Sequence, residues 1–403
     1  MAPTTLEHIV VVGGSLAGLR ALEALRHDGF RGRLTLVGAE SHEPYDRPPL
    51  SKDFLAGTAD TASLALRKQG YADLEVTLRL GATAHSLDVD ARTVGVGDDT
   101  LSFDGMVIAT GAHPRPLPDQ PDLVGVHTLR TVEDSNSISE HIEAGARMCV
   151  IGAGFIGAEV AATARGRGRE VTVLEALPQP MVRGVGPVIG SVLASLHRDH
   201  GVDLRLGVGV ESIAGGARVE RVHLADGAAV ECEAVLVAIG AIPTTDWLEG
   251  SGLTVDNGVV CDAALRAAPG IVAAGDLCRW PNAAFDDEVM RIEHWTNATE
   301  QGTHAARSLL AADAAEPFVT VPFVWSDQYD VKIQSAGRFG GDDRMEVVHG
   351  SPDDYKFTAI FERNGRISGV LGFNMARRVI QYRRLIVDGS SFDAALAFAA
   401  ANP

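Results

Sequence analysis

Read as a series of apolar and polar positions, the chain repeats itself. His8 to Val12 is an apolar strand that runs into Gly13-Gly14-Ser15-Leu16-Ala17-Gly18, followed by a helical pattern toward Arg26 and a second strand at Leu34 to Val37. The order returns at Met148 to Ile151, with Gly152-Ala153-Gly154-Phe155-Ile156-Gly157, a helix to about Arg165 and a strand at Val171 to Leu174. An acid closes each copy, Glu40 in the first and Glu175 in the second, roughly 20 residues past the last glycine. A shorter echo links them: Ile108-Ala109-Thr110-Gly111 matches Val237-Ala238-Ile239-Gly240, each an apolar strand that stops at glycine. Strand, glycine turn, helix, strand and acid is the pattern of a dinucleotide-binding βαβ unit. Two such units predict an α/β protein with two Rossmann-type domains.

The chemistry of the turns follows from their residues. Glycine lets the backbone bend sharply, and the helix that opens next offers free N–H groups and a partial positive charge to a pyrophosphate. Gly13, Ala17 and Gly18, and Gly152, Gly154, Phe155, Ile156 and Gly157, are therefore cofactor-binding candidates, as are Thr110, Gly111 and Gly240 at the strand ends. In the first copy Ser15 replaces the middle glycine and either crowds the pyrophosphate or hydrogen-bonds to it. Glu175 can accept both ribose hydroxyls and would repel the extra phosphate of NADPH, which favours NADH. Arg183 is near enough in sequence to leave NADPH use open.

Beyond Pro317 the pattern changes to alternating stretches, Phe357 to Phe361 and Ile367 to Leu371, around the turn Arg363-Asn364-Gly365-Arg366. This predicts a small α+β domain, with Ala311 to Pro317 as the linker before it. The composition, 46% hydrophobic and 22% charged over 403 residues, suits two or three folded domains. A net charge of -18 argues against a nucleic-acid or anionic-membrane partner. No apolar run is long enough to span a bilayer, and the N-terminus has no basic segment followed by an apolar one, so a cytoplasmic location is expected. Cys149, Cys232, Cys261 and Cys278 are far apart in sequence, without a Cys-x-x-Cys pair, and read as buried packing residues; no metal site is expected.

Four further segments carry a resemblance. Glu43-Pro44-Tyr45-Asp46-Arg47-Pro48-Pro49-Leu50-Ser51-Lys52, Ile271-Val272-Ala273-Ala274-Gly275-Asp276, Arg291-Ile292-Glu293-His294-Trp295 and Trp325-Ser326-Asp327-Gln328-Tyr329 are similar, in order and spacing, to the ferredoxin reductases of bacterial cytochrome P450 and aromatic-ring dioxygenase systems. The resemblance implies a glutathione-reductase-like fold: an FAD domain at 1–111 and 244–317, interrupted by an NAD domain at 112–243, then a C-terminal α+β domain at 318–403. It implies that Ala17, Glu40, Arg47, Lys52, Ala84, Arg130, Gly275, Asp276 and Trp295 contact FAD, with Trp325 near the flavin ring. It also implies that Lys52 and Glu159 are the catalytic pair, close together near flavin N5, where the lysine's charge steadies the reduced ring. The activity so implied is hydride transfer from NADH to FAD, then single-electron transfer to a [2Fe-2S] ferredoxin. The C-terminal domain, as a partner surface, favours a monomer.

Such ferredoxins are usually acidic, so this acidic chain needs a local basic surface to dock one. Arg377, Arg378, Arg383 and Arg384 are the candidates, since residues seven apart share a helix face. NADH oxidases, peroxidases and disulfide reductases of related fold rely on a redox cysteine, where this chain has Arg47 to Lys52. Rubredoxin reductase differs only in the acceptor and stays open, as does a redox-sensing flavoprotein of the apoptosis-inducing-factor type.

Overall fold

The computed structural model describes residues 6–403. Two compact units are each assembled from three stretches of chain. The first takes the chain up to Asp46, Leu64–His113 and Ile242–Pro322; the second takes Arg47–Ser63, Pro114–Ala241 and Phe323–Pro403.

In the first unit His8–Val12 pairs in parallel with Arg33–Gly38 on one side and Gly105–Ile108 on the other. Val76–Leu80 and Ile271–Ala273 extend this core in parallel, and Arg266–Ala268 adds an antiparallel edge, giving six strands. Ile9, Val10, Val11, Leu34 and Leu36 have no more than a trace of exposure, because a parallel sheet covered on both faces needs apolar residues at every position. The helices Leu16–His27 and Trp295–Ala311 pack together closely enough that a Cβ on Gly302 would lie 2.3 Å from the Ala17 carbonyl oxygen.

The second unit has a five-stranded parallel sheet in the order Asp203–Leu206, Val171–Glu175, Met148–Ile151, Ala234–Val237, Val126–His127. Its glycine turn opens the helix Phe155–Gly166, and a longer helix, Val182–Asp199, is kinked at Gly186-Pro187. Both repeats thus form the predicted strand, turn, helix and strand, with ends within two residues of those read from the pattern.

The same unit contains an antiparallel sheet ordered Phe323–Gln328, Val331–Gly337, Arg366–Phe373, Lys356–Arg363, Arg344–Ser351. The predicted hairpin is present. Asn364 and Gly365 take positive φ of 53° and 77°, the geometry in which a two-residue turn matches the strands' twist. The helices Ala376–Val387 and Phe392–Ala401 follow.

The stretch from Ala311 to Pro317, read as a linker, is structured at its start. It begins as the last residue of a helix and continues through a 3-10 turn at Ala312–Ala314. Phe318, just beyond, is buried, with its N–H donating to Ala263 and its carbonyl accepting from Trp280 Nε1. An aromatic residue thus anchors the chain just past this stretch. The cysteines are buried and unlinked, as their spacing predicts, yet folding brings Cys261 and Cys278 to a 3.8 Å sulfur separation.

Candidate functional site

The predicted site residues fall into two groups. The first unit holds Gly13, Ser15, Ala17, Gly18, Glu40, Ala84, Thr110, Gly111, Gly275, Asp276 and Trp295; the second holds the rest.

In the first unit Gly13 has φ 127°, and a Cβ there would lie 2.0 Å from the Ala109 carbonyl oxygen, so only glycine fits. Gly18 comes so near the Gly13 carbonyl that a side chain would strike it at 2.1 Å. Ser15 stands at the N-cap of the helix with extended backbone. Glu40 lies two residues past the second strand and accepts a hydrogen bond from Tyr45 Oη. Ala84 begins a peripheral strand, and Thr110 Oγ1 donates to Thr244 O at 2.7 Å. Gly275 N–H donates to Gln301 Oε1 at 2.8 Å, and Asp276 O accepts from Arg291. Trp295 Nε1 donates to Asp46 Oδ1 at 2.7 Å, which fixes the indole.

Two groups beside this cradle were not foreseen. His294 Nδ1 and Gln301 Nε2 are buried without a protein partner, and burial pushes the His294 imidazole down to about 4, so it is neutral. Buried polar atoms without a protein partner need a water or a ligand to satisfy them. A phosphate-binding turn with no room for side chains, an acid at ribose distance in the motif and these unsatisfied atoms fit FAD.

In the second unit Gly152 repeats the first turn, with φ 102° and a Cβ position 2.4 Å from Ala238 O. Gly157 approaches Gly152 O as Gly18 approaches Gly13. Glu175 is held by two backbone donors: Ala153 N–H reaches Oε2 and Leu177 N–H reaches Oε1, each at 2.9 Å. It is thus aimed over the glycine turn, where its remaining lone pairs can meet a ribose. Arg183 lies exposed in the first turn of the kinked helix. Gly240 is exposed with φ 109°.

The candidate catalytic pair is formed. Lys52 Nζ lies 2.6 Å from Glu159 Oε2, with the two side chains only 16% and 4% exposed. Lys52 follows the 3-10 turn Pro48–Ser51, and Glu159 sits one turn into the glycine helix. Ser51 Oγ donates to the same carboxylate oxygen at 2.5 Å, and Ser326 Oγ donates to Oε1 at 2.7 Å. Arg47 and Arg130 also meet, the Arg47 guanidinium donating to the Arg130 carbonyl at 2.6 Å. Trp325 is half-buried next to Ser326, on the alternate face of its strand. The hydroxyls of Ser51 and Ser326 were missed by motif reading. Their signal was present, since Ser326 and Gln328 put polar groups on the buried face of a strand, where apolar ones are the rule.

Comparison with known proteins gives the family. Residues 7–302 match the family model described as pyridine nucleotide-disulphide oxidoreductase, and 323–403 match the reductase C-terminal model. The chain belongs to the pyridine nucleotide-disulphide oxidoreductase family. Within the family it is 38% identical over 383 residues to rhodocoxin reductase of Rhodococcus erythropolis, covering 94% of this chain and 89% of that one. Putidaredoxin reductase of Pseudomonas putida is 34% identical over 392 residues, covering 95% and 92%. The solved covalent complex of putidaredoxin reductase with putidaredoxin superposes with a TM-score of 0.90 at 33% identity, covering 95% of this chain and 93% of that one. The family binds FAD, and the chain is an FAD- and NAD-dependent oxidoreductase. Among the described residues no helix is long and apolar enough to cross a membrane.

Proposed function

We propose that the chain is a ferredoxin reductase that takes a hydride from NADH onto FAD and delivers electrons singly to a [2Fe-2S] ferredoxin of a cytochrome P450 or ring-hydroxylating dioxygenase system. The observation that carries this reading is the buried Lys52–Glu159 ion pair in the segment where disulfide-active relatives use cysteine. All four thiols are buried, and none lies between Arg47 and Ser63. No thiol relay is available there. Relatives named for ferredoxins favour that acceptor over rubredoxin.

In this proposal residues 1–111 and 244–317 hold FAD, 112–243 hold NADH and 318–403 serve the partner. When bound, FAD supplies what no side chain can, accepting an electron pair as hydride and returning it one electron at a time. The protein's part is placement. Gly13, Ser15, Ala17 and Gly18 would bind the pyrophosphate, Glu40 the ribose, and Ala84, Thr110, Gly111, Gly275, Asp276, Trp295, Arg47, Arg130 and Trp325 the remainder. Gly152, Gly154, Phe155, Ile156, Gly157, Glu175 and Gly240 would bind NADH. Lys52 offers a fixed positive charge where negative charge grows, and Glu159 orients it. A hydride step needs its two carbon and nitrogen centres in near-attack geometry more than it needs an acid or base.

For the ferredoxin, the helix Ala376–Val387 narrows the basic candidates. Arg378 is engaged with Pro403 O and Gln381, and Arg383 lies over the Phe323 ring. Arg377 and Arg384 are exposed on one face with Ile380 and Val387, which are 54% and 65% exposed. A basic and apolar stripe of this kind suits an acidic partner with an apolar centre to its contact surface. Reversing Arg377 and Arg384 to Glu should raise KM for ferredoxin about tenfold and leave NADH-dependent dye reduction unchanged. Equal loss of both activities would remove this surface from the proposal. The reading as a whole is tested by anaerobic titration with NADH and NADPH, then cytochrome c reduction with and without a [2Fe-2S] ferredoxin. Flavin bleaching without ferredoxin dependence would move the acceptor elsewhere.

A further inference from the structure

Five polar residues of the second unit are almost wholly buried: Ser51, Glu159, His197, Ser326 and Gln328 are each 3% exposed or less. Burying so many polar side chains is costly unless each is satisfied. They form one connected chain. Gln328 Nε2 lies 3.2 Å from Ser326 Oγ, and His197 Nε2 lies 3.1 Å from Gln328 Oε1. His197 Nδ1 lies 2.9 Å from Tyr329 Oη.

The direction of every proton follows. An amide nitrogen can only donate, so Ser326 Oγ accepts from Gln328 and its own hydrogen goes to Glu159 Oε1. Gln328 Oε1 can only accept, so His197 carries its proton on Nε2. His197 Nδ1 is then the acceptor for the Tyr329 hydroxyl. Burial pushes His197 down to about 4, which keeps the imidazole neutral and able to accept. Donors therefore run one way, from Tyr329 through His197, Gln328 and Ser326 to Glu159, while Lys52 and Ser51 close on its other oxygen.

The outer end is held as well. Tyr329 adopts φ 57°, an uncommon conformation for a bulky residue, and its ring stacks on His200 at 3.7 Å and 10°. Backbone strain of this kind persists where the surroundings over-determine it.

We propose that His197 and Gln328 are positioning residues for the hydride step, acting through Ser326 to lock the Glu159 carboxylate in the one orientation that places the Lys52 ammonium. The proposal rests on the reading that Lys52 and Glu159 serve that step. It assigns to His197, near the end of the kinked helix, and to Gln328, at the end of the Phe323–Gln328 strand, a part in chemistry that neither side chain touches.

Stopped-flow bleaching of the FAD-loaded, full-length protein by NADH tests it. His197→Leu and Gln328→Leu should each slow hydride transfer about tenfold, the scale expected of a small misplacement, with Kd for NADH unchanged. His197→Gln keeps a donor toward Gln328 and should recover most of the rate. Residues acting as a unit are non-additive, so His197→Leu with Ser326→Ala should be no slower than the slower single variant. A second readout is independent of turnover. The lysines are Lys52, Lys68, Lys332 and Lys356, so 13C-dimethylated protein gives an NMR signal for Lys52 that should move in the leucine variants and return in His197→Gln. Leucine variants with an unmoved Lys52 signal and wild-type rates, or effects that multiply in the double variant, would overturn the proposal. Glu159→Gln separates the two readings: a wild-type rate there overturns the catalytic pair itself, whereas a slow Glu159→Gln beside a fast His197→Leu overturns only the positioning role. Should His197→Leu fail to fold, Gln328→Met, of nearly the same length and without a donor for Ser326, carries the same test.

Discussion

The two glycine turns share a six-residue plan and end in different surroundings. In the first, Leu16 and Ala17 are 8% and 6% exposed, and Gly275 and Gly302 are closed against Ala17 by the Trp295 helix and the strand end before it. In the second, the matching Phe155 and Ile156 are 36% and 44% exposed, and neither Gly154 nor Gly240 has a heavy atom near the place of a missing Cβ. Under the proposed assignment, the cofactor that stays would be held in the covered turn, and the one that enters and leaves each cycle would meet the open one. The acids differ in the same sense: Glu40 is engaged by a tyrosine hydroxyl, Glu175 by two backbone N–H groups.

The largest effect is expected in the covered turn. Gly13→Ala would place a methyl group against the Ala109 carbonyl at a φ that strains any other residue by about 1–3 kcal/mol, and the purified protein should lose most of its flavin absorbance. Retention of normal flavin content would mean that the turn is less closed than its geometry requires.

Acid should act next. His127 and His197 in the second unit and His294 in the first are all pushed down to about 4, chiefly by burial. A histidine lowered in the folded state binds its proton more readily when unfolded, so stability is full above about pH 6.5 and falls as the pH drops toward 4. For His197 the loss at pH 5 is about 2 kcal/mol. Thermal melts at pH 7 and pH 5 should therefore differ less in His197→Gln than in the wild type; an unchanged difference would show that His197 is not buried as a neutral group.

The open turn should respond in binding rather than in flavin content. Glu175→Gln keeps the shape and removes the charge, and should raise Kd for NADH about tenfold, roughly 1.4 kcal/mol, while narrowing the preference over NADPH. Normal flavin content with altered NADH affinity is the outcome that sharpens the contrast. The smallest effect belongs to Gly154→Ser, which copies Ser15 into open space at an ordinary φ of -78°. KM for NADH should change less than about threefold. A large loss would mean that the second turn closes around its ligand as the first does.

Much of this was legible in the chain. Local rules governed both repeats: a strand apolar at every position, a glycine that no other residue can replace, a helix opening on the turn. The hairpin at Asn364-Gly365 was readable for the same reason. Where the pattern was silent, a long-range contact decided. Phe318 anchors a stretch that looked like a linker, and Cys261 and Cys278 come together across a pair of neighbouring strands.

The sequence alone determined two nucleotide folds, their order and their glycine turns, because backbone geometry and strand burial act over a few neighbouring residues. Tertiary structure decided which turn is covered, which arginines of the Ala376–Val387 helix remain exposed, and how Ser51, Ser326, Gln328 and His197 converge on Glu159. Ser326 stands 167 positions from Glu159, and only packing of a buried, fully satisfied polar chain brings such residues within hydrogen-bond reach.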